Sequence, residues 1–123
     1  MIVLDTDVLI EVIKRKIIPK DWSISVITLI EFLRAVNLDK IENVKERLEK
    51  AFTIIPLTNN VVKNYCILYQ YLKESGILIP DADLLIAATS IALKAPLATW
   101  NAKHFNRLEE KGLKLIDPAK LGI

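Results

Sequence analysis

A short strand-like run followed by a helical one, repeated down the chain, leaves few folds open to this sequence. Ile2 to Leu4 is apolar without alternation, as in a sheet covered on both faces, and Val8 to Lys16 follows with helical periodicity. After the Pro19-Lys20-Asp21 break, Trp22 to Ile27 reads as a second strand and Thr28 to Val36 as its helix. Asp39 is placed to cap a further helix over Lys40 to Lys50, and Thr53 to Pro56 gives a third strand. Asn59 or Asn60 is placed to cap an amphipathic helix ended by Gly76, with Val61, Val62, Tyr65, Leu68, Tyr69 and Leu72 inward. Asp81 to Ala95 is apolar on nearly every side, which predicts a central helix stopped by Pro96. Leu97 to Thr99 makes a fourth strand, Ala102 to Lys111 a last helix ending at Gly112, and Leu113 to Ile116 an edge strand. Parallel strands joined by right-handed crossovers need helices between them, so the expected fold is a three-layer α/β/α sandwich around a parallel sheet of four to five strands.

The 123 residues, 52% of them hydrophobic, suit a single domain over residues 1–123 with a substantial core. A net charge of +2 excludes a basic nucleic-acid tail, so any such binding must use local patches. Cys66 is alone, which rules out an intrachain disulfide or a cysteine metal knuckle, and its apolar neighbours predict a place in the core. The opening residues have neither the basic start nor the apolar stretch of a secretory signal, and the run Leu84 to Leu93 is too short to span a bilayer. A soluble, cytoplasmic protein without membrane contact is expected.

The candidate chemistry lies in the acids. Asp5 ends the first strand and Asp7 follows at the mouth of the first helix, while Asp81 and Asp83 open the apolar helix. Each has a local explanation, since acids at a helix N-terminus offset its partial positive charge. Thr28 to Glu31 even fits a capping box, with Thr28 as N-cap and Glu31 three residues on. Yet Asp5, Glu31, Asp83 and Asn101 all fall in strand-to-helix passages or first helical turns, and a parallel α/β fold gathers those at one edge, where ligands bind.

Gathered carboxylates repel, a cost sustained only by a cation among them or by protonation. Hard oxygen donors select Mg²⁺ or Mn²⁺, and zinc is disfavoured in a chain with one histidine and one cysteine. Such a site suits phosphodiester hydrolysis by an activated water, leaving a 5′-phosphate and a 3′-hydroxyl. Because the 2′-hydroxyl is not consumed, that chemistry does not separate RNA from DNA.

With those residues placed, the chain resembles the PIN-domain family, and within it the VapC-type toxin ribonucleases of type II toxin–antitoxin systems. The pieces are Ile2-Val3-Leu4-Asp5-Thr6-Asp7, then Ser25 to Phe32, then Ile79 to Thr89, then Thr99-Trp100-Asn101-Ala102-Lys103-His104-Phe105, in that order over the whole chain. The resemblance implies that Asp5, Glu31 and Asp83 are the catalytic, metal-binding acids, and that Thr6 and Thr99 support the site. It further implies single-stranded or loop RNA as substrate, a homodimer, and an antitoxin protein that blocks the site. Asn101 stands where many relatives carry a fourth acid, and Asp7 where serine or asparagine is common. The first departure puts binding of a second metal ion in question.

His104 is expected as a solvated helix residue, with a phosphate contact as the sharper reading. Lys103 and Arg107 are candidate RNA contacts on a charged helix face, and Trp100 is expected to pack rather than stack on a base. Two other readings stand beside the nuclease. Leu4 to Leu9 resembles the first motif of haloacid-dehalogenase-type phosphatases, with Asp5 as nucleophile, though Glu31 would then have no role. A PIN-like RNA-binding module without catalysis is the second.

Overall fold

The computed structural model describes residues 1–123 as a five-stranded parallel sheet between helices. The strands are β1 (Ile2–Leu4), β2 (Trp22–Ser25), β3 (Thr53–Ile55), β4 (Leu97–Ala98) and β5 (Leu115–Ile116). The helices are α1 (Thr6–Lys14), α2 (Val26–Leu33), α3 (Ile41–Ala51), α4 (Asn59–Glu74), α5 (Asp81–Leu93) and α6 (Ala102–Phe105). Three short 3-10 segments, Leu38–Lys40, Asn106–Lys111 and Pro118–Leu121, complete the chain. No helix is long and apolar enough to cross a membrane.

Strand order is β3-β2-β1-β4-β5, so the chain builds outward from β1 in one direction and then returns to build in the other. The reversal leaves a crevice between the carboxyl ends of β1 and β4, where open α/β sheets place their ligands. Leu4 pairs with Ala98, so the next residues on the two strands, Asp5 and Thr99, meet at that crevice.

Burial on both sheet faces follows from the alternation of side chains along a strand. Val3 and Leu97 join α4 and α5 in one apolar cluster with Leu68, Leu84, Phe105 and Leu108. Leu4 and Ala98, one residue further on, join α1 and α2 in the other with Val8, Val12, Ile24 and Leu29. An unalternating strand such as Ile2-Val3-Leu4 is therefore what a three-layer sandwich requires, and the expected fold class is the observed one.

Several helix ends differ from the sequence reading. β2 stops at Ser25, whose hydroxyl caps α2 by accepting from the Ile27 N–H at 3.0 Å. Thr28, expected as the cap, is instead a buried residue within α2. Thr58 rather than Asn59 or Asn60 caps α4 through the Val61 N–H, and Asp39 lies inside a 3-10 turn without a capping bond. Helix α5 ends at Leu93 with Lys94 in the left-handed conformation, before Pro96 is reached. The last expected helix is split, α6 passing into a 3-10 segment that Gly112 ends at φ 100°. On α4, Cys66, Val62 and Tyr69 are exposed, because the helix turns Val61, Leu68 and Leu72 to the core. The core role expected for Cys66 is thus overturned.

Candidate active site

Asp5 leaves β1 and becomes the N-cap of α1, its Oδ1 accepting from the Val8 N–H at 3.0 Å. Its side chain is nearly buried beneath the crevice. Burial raises the pKa of its carboxyl, and the charges of Asp7 and Asp83 raise it further, while the Thr99 hydroxyl and the Val8 N–H favour the ionised form. Asp5, Asp7 and Asp83 thus share one electrostatic neighbourhood although Asp83 is far from the other two in sequence.

Glu31 arrives from α2. The Thr6 hydroxyl donates to its Oε1 at 2.6 Å, and the Arg34 guanidinium lies 3.8 Å from Oε2 on the same helix. Thr6 Oγ1 is also 3.2 Å from the hydroxyl of Thr28. Since the single Thr6 proton is committed to the carboxylate, Thr28 is the donor in that second contact. The capping-box account of Glu31 falls with the cap: Ser25 does the capping, and Glu31 points to Thr6.

Asp83 lies in the first turn of α5, where its Oδ2 is 3.1 Å from His104 Nε2. The imidazole meets the buried Phe105 ring edge-on at 5.1 Å. His104 is therefore half-buried on an acid, not the solvated helix residue expected. Nearby, Asp81 accepts from the Tyr65 hydroxyl at 2.6 Å, which pushes the Tyr65 pKa up to about 12 and ties α4 to the start of α5.

One hollow of about 240 Å³ at this edge is lined by Asp5, Thr6, Asp7, Ile10, Glu31, Arg34 and Asp83. It unites the three acids singled out from sequence and adds Arg34, which sequence reading missed; its signal was the spacing of three from Glu31, which puts both on one helical face. The acids are not gathered at a single point, for no three His, Cys, Asp or Glu side chains stand within ligating range of one another. Glu31 is drawn to Thr6 and Arg34 instead. In kind, however, the donors fit a hard divalent cation: every one is oxygen, and the mutual repulsion felt at Asp5 is what a cation relieves.

Asn101 is not part of the lining. It precedes α6 with no side-chain capping bond, and its N–H donates to Thr99 Oγ1 at 3.0 Å. Lys103 and Arg107 are exposed and lie outside the hollow, and Arg107 acts instead on Tyr71, whose hydroxyl bonds Glu110. Trp100 is 48% exposed, contrary to the packing role expected for it. A larger apolar hollow of about 470 Å³, formed by residues of α1, α2 and α3 including Ile13, Phe32 and Leu48, contains none of these acids.

The model of the family described as PIN domain matches residues 2–111. Ribonuclease VapC1 of Methanocaldococcus jannaschii is 40% identical over 118 residues, covering 94% of this chain and 87% of the relative. Ribonuclease VapC1 of Rickettsia felis is 31% identical, with 94% of each chain covered. Among solved structures, VapBC-1 of nontypeable Haemophilus influenzae superposes with a TM-score of 0.78 at 25% identity, covering 95% of this chain and 98% of that one. VapBC-5 of Mycobacterium tuberculosis, from the VapBC family of toxin–antitoxin systems, gives a TM-score of 0.70 at 26% identity, over 94% and 96% of the two chains.

Proposed function

This chain belongs to the PIN-domain family, and from that premise we propose that it is a divalent-metal-dependent endoribonuclease, the toxin of a toxin–antitoxin pair. The observation that carries this reading is the hollow in which Asp5, Glu31 and Asp83, from three separate segments, meet at the carboxyl edge of the sheet. Helix capping accounts for Asp5 alone among them.

Asp5, Glu31 and Asp83, which line one hollow, would hold Mg²⁺ or Mn²⁺. Such an ion, when bound, lowers the pKa of a water to supply the nucleophile and offsets charge on the phosphate. The chain's own residues set the stage for this. Thr6 fixes one oxygen of Glu31, the Val8 N–H holds one oxygen of Asp5, and His104 bonds Asp83, so each acid has a neighbour that limits its rotation. Asp7 adds negative charge at the mouth, and Arg34 on the rim offers a guanidinium to a phosphate oxygen. Lys103, exposed on α6 outside the hollow, is free to meet a phosphate further along a bound strand.

The phosphatase reading with Asp5 as nucleophile is weaker, because it leaves Glu31 idle although Glu31 lines the same hollow. A non-catalytic RNA-binding role would leave the whole trio of acids without use. Incubating purified protein with single-stranded RNA and Mg²⁺ or Mn²⁺ tests the proposal. Cleavage leaving 5′-phosphate ends, abolished by chelation and by Asp83→Asn, is expected; activity surviving exhaustive chelation, or a phosphoaspartyl species on Asp5, overturns it. A homodimer and a cognate antitoxin protein complete the reading, checked by solution mass and by inhibition on adding the product of an adjacent small gene.

A further inference from the structure

The carboxyl edge of the sheet holds a second hollow beside the acidic one. It measures about 280 Å³ and is lined by Thr99, Trp100, Ala102, Leu115, Ile116 and Asp117. Those residues follow or belong to β4 and β5, the next two strands after β1 in the order of the sheet. The two places are joined through the main chain: the Asp5 N–H donates to the Ala98 C=O at 3.1 Å, and the next residue, Thr99, forms a wall of the second hollow. The main chain there is held rigidly, Thr99 N–H to Ile116 C=O at 3.3 Å and Asn101 N–H to Thr99 Oγ1 at 3.0 Å.

Trp100 is the largest side chain of this wall and it stands 48% exposed, although Trp22, the only other tryptophan, is 3% exposed. An indole left half in water at the rim of a hollow offers a flat π-face that no core contact uses. The same lining holds the exposed Asp117, whose Oδ1 accepts from the Ala119 N–H at 2.9 Å while Oδ2 has no protein partner. A planar heteroaromatic ligand carrying an amino group satisfies both: the ring covers the indole, and the amino group donates to the free carboxylate oxygen.

We infer that this hollow is a nucleobase subsite, in which Trp100 stacks on a base of a strand whose phosphate lies at the cation site of Asp5, Glu31 and Asp83, and Asp117 selects an amino-bearing base. The inference rests on the nuclease reading for its strand, but the subsite can be tested without turnover. Adenine, cytosine and guanine present an amino group and uracil does not, so the preference is for the first three.

The test uses the full chain in EDTA, where no cleavage is expected, with tryptophan fluorescence read on adding a short single-stranded RNA. Because Trp22 is buried, quenching reports Trp100. Quenching by the RNA that is weak with the same oligonucleotide made abasic at one position supports the subsite. Equal quenching by a fully abasic chain, or none at all, overturns it. With Mn²⁺, Trp100→Ala should raise KM roughly tenfold, the scale of one base–aromatic stack, with kcat nearly unchanged and Trp100→Phe largely restoring KM. Asp117→Asn keeps the acceptor that Ala119 uses and should narrow the preference over uracil. An unchanged KM in Trp100→Ala also overturns the subsite, whereas base-dependent quenching by a protein that cleaves nothing keeps the subsite and removes the nuclease.

Discussion

His104 Nε2 stands 3.1 Å from Asp83 Oδ2 and joins α6 to the first turn of α5 across the carboxyl edge of the sheet. The ring has little freedom because Phe105, buried beneath it, meets it edge-on. Outer partners of this kind orient a ligating carboxylate, and their loss commonly weakens metal affinity or activity about 10- to 100-fold. His104→Ala should therefore lower Mn²⁺ affinity about tenfold with little change in unfolding midpoint. His104→Gln retains an N–H donor and should recover part of it. Calorimetric titration decides the matter, and two variants that bind Mn²⁺ like the unmodified protein would make the pair an ordinary surface contact.

Glu31→Gln separates charge from shape. The amide oxygen can still accept from the Thr6 hydroxyl, and the cap of α2 is Ser25, so the unfolding midpoint should hardly move. Cleavage and Mn²⁺ binding should be lost with the charge. Ser25→Ala is the complementary control, expected to cost about 1 kcal/mol of stability through the lost cap. Should Glu31→Gln keep full turnover, Glu31 is not a metal ligand.

The pH dependence of stability follows from Asp5, whose pKa is raised above its ordinary 3.8 chiefly by burial. A group that holds its proton more tightly when folded adds stability below its unfolded pKa and loses that contribution as pH rises through the folded value. Asp5→Asn cannot ionise, and asparagine is as good an N-cap as aspartate. The variant should therefore gain stability over the unmodified protein as pH rises from about 4 towards neutrality. Urea unfolding across that range without divalent ions measures it; a gap that shrinks with rising pH contradicts the assignment of burial as the dominant cause.

Asn101 brings an amide oxygen where a fourth carboxylate would add charge. With three acids in the cluster, one divalent ion should bind the free protein tightly and a second only weakly, since two ions about 3.5–4 Å apart need surrounding anions. Asn101→Asp should strengthen the weaker site and reduce the Mn²⁺ concentration for half-maximal cleavage. No difference between the two proteins in a Mn²⁺ titration means that Asn101 is not a ligand.

Amino-acid order alone determined the layered fold and the edge at which to look. Unalternating strands and the helical periodicity between them are properties of neighbours in sequence, so they survive without any knowledge of packing. That reasoning placed Asp5, Glu31 and Asp83 in strand-to-helix passages or first helical turns; the parallel sheet does bring them to one hollow, but Glu31 reaches it from the second turn of α2. It failed where tertiary structure decided the partner. Thr28 is the expected cap, but β2 ends early at Ser25, which takes that role and leaves Glu31 to Thr6 twenty-five residues away. His104 finds Asp83 twenty-one residues away for the same reason, since the crossing of α5 and α6 sets the distance and no sequence period encodes it. The exposure of Trp100, Cys66 and Val62 was likewise a tertiary outcome: an apolar residue is buried only if another element arrives to cover it, and at these positions none does.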